Sequence, residues 1–314
     1  MSLLDDASDL LQIPSLLGGP HFRTVADVTT VPALIAQARR IKAEPAAVAD
    51  AGRGKRLGQV YLNPSLRTRM STEIAARNLG MDVQTLNMGG EAWALEYRDG
   101  VVMDADRAEH VREAAGVLGR YVDILGLRSF PGLRDRAEDE AEVVQRAFLE
   151  HSGRPLLSLE SATAHPLQGF ADAITLTEQW NPGPPAAAGE GVRSGGADAG
   201  ADAGADPDRL AIPQDGRLPK VVLAWAPHVR ALPMAVPNSF ARWSQAAGFP
   251  LTVAHPPGLE LDPAVTGPAA VTHDLDEALE GADFIYVKNW SAREPYGRRY
   301  DAPMPPAGDW ICPA

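Results

Sequence analysis

Short apolar runs alternate with helix-length amphipathic stretches along most of this chain, and that alternation limits the fold more than any other feature. The pattern predicts strands over 58–62, 83–86, 122–127, 155–159, 221–225, 251–253 and 284–287. It predicts helices over 31–42, 70–79, 108–121, 137–151, 166–179, 236–247 and 274–279. A strand-helix-strand rhythm implies parallel sheets covered by helices on both faces. With 314 residues the chain is long enough for two domains. The expected fold class is therefore α/β, with two doubly wound parallel-sheet domains, and the break is expected near 152–154. Residues 1–153 would form the first domain and 154–314 the second.

The stretch 181–217 breaks the rhythm. It holds Pro-Gly-Pro-Pro, an alanine tract and near-repeats of Gly-Ala-Asp-Ala, with almost no large apolar side chain. Such a segment cannot bury enough surface to order itself, so it reads as a low-complexity insertion within the second domain.

Apolar residues make up 45% of the chain, enough for a core without disulfide or metal, and the lone cysteine, Cys312, permits no internal disulfide. No apolar run reaches membrane-spanning length, and no basic region followed by an apolar stretch opens the chain. These features point to a cytoplasmic protein. The net charge of −12 argues against nucleic acid as a partner. Lysine occurs only at Lys42, Lys55, Lys220 and Lys288. An acidic, lysine-poor surface fits a high-salt habitat, and a biased genome produces the same signature.

In parallel α/β sheets, ligands bind beyond the carboxyl ends of the strands. Polar residues gather there in this sequence: Ser65, Arg67 and Thr68 after one strand, Arg128 after another, Glu160 and His165 after a third, then His228 and Lys288. In the segment Tyr61-Leu62-Asn63-Pro64-Ser65-Leu66-Arg67-Thr68-Arg69, a strand meets a Pro-containing bend, two hydroxyls and two guanidiniums at the start of a predicted helix. Helix N-termini present N–H groups and partial positive charge, and arginine adds forked donors that match phosphate oxygens. The segment reads as a cradle for phosphate or an acyl phosphate, although an ordinary capped helix with solvated arginines has the same spacing. Arg128, at the end of a buried strand, fits ligand contact or a surface salt bridge. His165 precedes a helix that opens on Pro166. Its ring can donate to a carbonyl oxygen that gains charge, with Gln168 beside an adjacent amide; a histidine satisfied by backbone groups would look the same.

Taken together these motifs resemble the aspartate/ornithine carbamoyltransferases. Ser65-Leu66-Arg67-Thr68-Arg69 is similar to that family's Ser-x-Arg-Thr-Arg carbamoyl-phosphate motif, and His165-Pro166-Leu167-Gln168 to its His-Pro-x-Gln motif. The likeness is greatest to the branch acting on N-acetylornithine or N-succinylornithine. It is carried by Glu91-Ala92-Trp93, Val102-Met103-Asp104, Leu118-Gly119-Arg120-Tyr121, Glu160-Ser161-Ala162-Thr163 and Trp225-Ala226-Pro227-His228.

The resemblance implies that Ser65, Leu66, Arg67, Thr68 and Arg128 bind the phosphate of carbamoyl phosphate, while His165 and Gln168 hold its carbamoyl group. Arg128, His165 and Gln168 would be the catalytic set. It implies that Trp93 completes a neighbour's site in a homotrimer. Glu160, His228, Arg230, Asn238 and Lys288 would contact the acylated ornithine, Glu160 at its acylated amine and Lys288 at its α-carboxylate. The uncharged δ-amine would attack the carbamoyl carbon and phosphate would leave, in a step of arginine biosynthesis that uses no metal and no cofactor. Acyl choice in this branch follows a residue in the segment 104–110, Glu in acetyl enzymes and Pro in succinyl enzymes; here the position is Ala108. N-succinylornithine is therefore the expected acceptor.

The family also carries a His-Cys-Leu-Pro motif and a final helix that would lie beyond Ala314, so the second domain is expected to be incomplete. Cys312 stands in a different context. A non-catalytic relative that binds carbamoyl phosphate or only oligomerises is the alternative expectation. An ornithine-type enzyme would show a Ser-Met-Gly signature, which the sequence lacks.

Overall fold

The computed structural model describes residues 13–88, 90, 92–104, 106–180, 217–228, 230–298 and 310. The expected insertion, Arg217 excepted, and Cys312 lie outside the described residues. In chain order the elements begin with α1 (Ile13–Leu16), α2 (Val31–Ala43), β1 (Arg56–Tyr61), α3 (Arg67–Asn78) and β2 (Asp82–Asn87). Next come β3 (Leu95–Glu96), β4 (Glu109–His110), α4 (Val111–Tyr121), β5 (Ile124–Arg128), α5 (Arg136–Glu140) and α6 (Val143–Ser152). Then follow β6 (Leu156–Glu160), α7 (Pro166–Gln179), β7 (Val221–Trp225), α8 (Ala235–Ala246) and β8 (Leu251–Ala254). The described part closes with α9 (Pro263–Thr266), β9 (Ala270–Thr272), α10 (Leu275–Leu279) and β10 (Phe284–Lys288).

Two parallel four-stranded sheets result, in the orders β2-β1-β5-β6 and β10-β7-β8-β9. A short parallel pair, β3-β4, stands apart. The central strands are apolar because both their faces are covered: every residue of β7 is buried, and so is every residue of β1 after Arg56. Leu125, Leu127, Phe148 and Leu156 centre the first core. Leu223, Val253, Trp243 and Trp290 centre the second. Helix α2 precedes the first sheet in sequence, yet Val31, Leu34 and Ile35 bury themselves in the second core.

The α/β class and the parallel sheets are those expected. Strand β6, on the far side of the expected break, pairs with β5 in the first sheet. The predicted helix 137–151 is two helices. Glu142 adopts the left-handed region (φ 51°, ψ 42°) between α5 and α6. Its carboxylate accepts from the Ser161 and Thr163 hydroxyls and from the backbone N–H groups of Ala162 and Thr163. Four tertiary hydrogen bonds outweigh the local preference for a continuous helix. Strands β3, β4 and β9 and helix α9 are too short to leave a periodic signal.

Helices α4 and α6 approach closely at Gly119, where an added Cβ would stand 2.0 Å from the Ser152 carbonyl oxygen. Backbone there cannot yield as a flexible side chain would. Gly119→Ala is expected to cost about 1–3 kcal/mol through overpacking. Urea unfolding of the two proteins measures it, and equal midpoints would show that the two helices have room to separate.

Candidate active site

The site grows from the carboxyl end of the first sheet. Register sets Tyr61 opposite Arg128 and Arg128 opposite Glu160; Leu127 faces Ser158, so β6 carries one extra residue, Leu159, just before Glu160. The Arg128 and Glu160 side chains are both buried, and Nη1 stands 2.6 Å from Oε2. Nη1 also lies 3.4 Å from the Thr68 hydroxyl, and the guanidinium sits 4.4 Å over the Phe130 ring. Arg128 Nε is buried with no partner among the described residues. A donor this costly to bury unpaired suits a site that gains an acceptor with its ligand.

The cradle follows β1. Helix α3 starts at Arg67, earlier than the predicted 70, and its N-cap is Leu66, which supplies no capping hydrogen bond. The hydroxyls of the motif therefore do not form the ordinary cap that the spacing also allowed. Asn63 Oδ1 accepts from the Phe130 N–H at 2.7 Å, tying the cradle to the chain leaving β5.

His165 is the N-cap of α7, and its N–H donates to the Ser239 hydroxyl of α8 at 2.7 Å. Its ring is nearly buried, with Nε2 3.5 Å from Glu160 Oε2 and no partner for Nδ1 among the described residues. Burial first, then the charges of Arg128 and Lys288, lower its pKa to about 4. The imidazole is neutral at pH 7 and acts as a hydrogen-bonding group, so the contact with Glu160 is no ion pair. Burial raises the Glu160 pKa, while Arg128 and Lys288 pull against it. The Gln168 amide donates to Asp172 Oδ1 at 2.8 Å.

These residues enclose one cavity of about 560 Å³. Ser65, Leu66, Arg67, Thr68, Arg128, Glu160, His165, Gln168 and Lys288 all line it, the last brought from the edge strand of the second sheet. Three cationic side chains face a single carboxylate there, in a chain of net charge −12. Such a pocket concentrates anions against the field of the whole protein. Among the described residues no group of three or more His, Cys, Asp or Glu could hold a metal ion, and no helix is long and apolar enough to cross a membrane.

Five expected site residues do not line the cavity. Asn238 is buried in α8, where its amide donates to the Thr163 carbonyl at 3.1 Å; it supports the loop that leads to His165. His228 and Arg230 are exposed and bond to each other, the Arg230 N–H donating to His228 Nδ1. Trp93 is 59% exposed and Ala108 is exposed, on the small β3-β4 unit. Trp93 Nε1 donates to Glu109 Oε2 at 2.8 Å, so the two positions share one surface. Sequence reasoning missed Ser71, Phe130, Leu232, Pro233, Val236 and Tyr286 in the wall. Arg128-Ser129-Phe130 carries a signal for one of them, since an aromatic two residues beyond a strand-end arginine can stack on it. The others are apolar or hydroxyl side chains that nothing local distinguishes.

The family profile "Aspartate/ornithine carbamoyltransferase, carbamoyl-P binding domain" matches residues 21–178. An N-succinylornithine carbamoyltransferase of Bacteroides fragilis (strain 638R) is 42% identical over 271 residues, covering 86% of this chain and 74% of that protein. An N-acetylornithine carbamoyltransferase of Xylella fastidiosa (strain Temecula1) is 33% identical over 291 residues, covering 88% of this chain and 76% of its own. Among solved structures, acetylornithine transcarbamylase complexed with acetylcitrulline superposes with a TM-score of 0.73 at 32% identity, over 88% of this chain and 77% of that one. A mutant of N-acetyl-L-ornithine transcarbamylase complexed with carbamyl phosphate and N-succinyl-L-norvaline gives 0.73 at 32% identity, over 88% and 78%.

Proposed function

The chain belongs to the aspartate/ornithine carbamoyltransferase family, in its N-acylornithine branch, and we propose that it carries the carbamoyl group of carbamoyl phosphate to the δ-amine of N-succinylornithine. The observation that carries this reading is the cavity itself, which unites the Ser65–Thr68 cradle, Arg128, His165 and Gln168 with Lys288. Arg67 and Arg128 suit the phosphate, joined by the Ser65 and Thr68 hydroxyls and the N–H groups of the first turn of α3. Neutral His165 suits the carbamoyl oxygen, donating as that oxygen becomes negative. Lys288 suits the α-carboxylate of the acceptor. The amine nitrogen forms its bond to the carbamoyl carbon, the bond from that carbon to the phosphate oxygen breaks, and phosphate leaves with the proton that the amine gives up. Rate would come from placing the two reactants together and from fixed donors at the oxyanion. This is an amino-acid biosynthetic step, in arginine synthesis, run in the cytoplasm. The domain break best fits the turn after β6 and before α7, since β6 completes the first sheet.

A homotrimer follows from the same reading. Leu66, Met70 and Ile74, spaced four apart, are 77%, 56% and 51% exposed, and Trp93 and Val102 add 59% and 71%. Large apolar side chains this exposed suit contact with a partner, and a second copy of the chain would bring Trp93 and Ala108 to the neighbour's cavity. If so, Trp93→Ala and Arg67→Ala proteins are each impaired, while mixed trimers recover part of the activity by pairing one intact cradle with one intact Trp93. Exchange of subunits with no recovery would sink the shared site.

Acyl choice rests on Ala108. A glutamate there would stand near the second carboxylate of a succinyl group, and two like charges a few ångströms apart cost about 1–4 kcal/mol in a partly buried site. Ala108 imposes no such repulsion. A colour assay for ureido products, run with ornithine, N-acetylornithine and N-succinylornithine, is expected to favour the last. Ala108→Glu is expected to shift preference toward the acetyl compound. Equal use of both before the change and no shift after it removes the basis for the succinyl assignment.

A further inference from the structure

Resting on the carbamoyl-phosphate reading, we propose that Asp172 is a positioning residue that fixes the amide of Gln168, turning its Oε1 into the cavity and so selecting an acyl phosphate that carries N–H. Asp172 lies one helical turn beyond Gln168 on α7, and Gln168 Nε2 meets its Oδ1 at 2.8 Å. An ionised carboxylate only accepts hydrogen bonds, so it can satisfy the NH2 end of a glutamine and never the carbonyl end. With NH2 anchored, Oε1 is the atom left for the ligand. It can accept from the amide of a carbamoyl group and gains nothing from the methyl group of acetyl phosphate, a molecule of nearly the same shape. Gln168 alone, free to rotate, would offer either face and discriminate little.

The surroundings of Asp172 fit a held carboxylate. Burial raises its pKa to about 6, against the pull of Gln168 on its own helix and of Tyr286 on β10. The Tyr286 hydroxyl stands close enough to lower that pKa, yet Oδ2 has no partner of ordinary hydrogen-bond geometry among the described residues. Both facing groups are neutral. Below about pH 6 the protonated acid could donate to Oε1 instead, and the amide would lose its fixed sense.

Titration calorimetry with carbamoyl phosphate, acetyl phosphate and inorganic phosphate tests this on wild type and Asp172→Asn. The asparagine is isosteric and can donate or accept, so it keeps the shape while freeing the amide. The wild type is expected to prefer carbamoyl over acetyl phosphate by about tenfold, the worth of one hydrogen bond. In Asp172→Asn that ratio should fall toward one, with phosphate affinity unchanged. The wild-type ratio should also fall between pH 8 and pH 5, and the variant's should not; the wild-type profile alone decides the matter if the variant does not fold. An unchanged ratio in Asp172→Asn, or a pH-independent ratio in the wild type, overturns the assignment while leaving the function intact. A wild type that binds none of the three ligands overturns both.

Discussion

Arg128→Ala is expected to lower the unfolding free energy by about 3–5 kcal/mol at pH 7.5, the range for removing one partner of a buried ion pair. Both side chains are less than a tenth exposed, and the truncation leaves the Glu160 carboxyl buried with its guanidinium gone. The loss should depend on pH in a defined sense. Burial already raises the Glu160 pKa and Arg128 opposes that rise, so the variant's carboxyl titrates higher still. A group whose folded pKa exceeds its unfolded one stabilises the fold while protonated and costs stability as pH rises through the folded value. The deficit should therefore be small near pH 4 and grow toward neutrality. Adding Glu160→Gln should recover much of the stability and none of the carbamoyl-phosphate affinity. Urea melts at several pH values measure this; a deficit equal at pH 4.5 and pH 7.5 would mean that the ion pair is not its source.

Arg67→Ala is expected to separate binding from folding. Arg67 is exposed on the first turn of α3, where substitutions seldom change stability by more than about 0.5 kcal/mol. Forked, charge-assisted contacts to phosphate are worth about 2–4 kcal/mol, so carbamoyl-phosphate affinity should fall by roughly 30-fold to 1,000-fold. The melting temperature should stay where it was. Calorimetry that finds affinity within about threefold of wild type would show that the segment 65–69 is no cradle.

What could be read in the sequence was what local pattern controls. Buried parallel strands give unbroken apolar runs, so seven of the ten strands stood out with their ends nearly in place, and the site residues stood at those ends. Motif spacing singled out the segment 65–69 and the His165-Pro166 turn, which line one cavity, because each is built from consecutive residues. Contacts made across the fold left no such trace. The break at Glu142 exists because the loop 161–163 needs its carboxylate. Strand β6 joins the first sheet through register with β5, which no count of residues reveals. Asn238, which the family resemblance puts on the acceptor side, lies outside the cavity wall; its amide NH2 donates to the Thr163 carbonyl, and its Oδ1 has no partner among the described residues. Asp172 acts on Gln168 four residues earlier, a spacing visible in the sequence whose meaning depends on its burial against β10.

Transfer of a carbamoyl group to an N-acylated ornithine in the cavity between the two sheets is followed with carbon-13-labelled carbamoyl phosphate and NMR in the presence of N-succinylornithine. The label is expected to leave carbamoyl phosphate and appear in a ureido carbon, with one phosphate released for each transfer and a rate that falls by about tenfold or more in Arg67→Ala. Carbamoyl phosphate that binds yet yields no labelled ureido product with either N-acylornithine would contradict it.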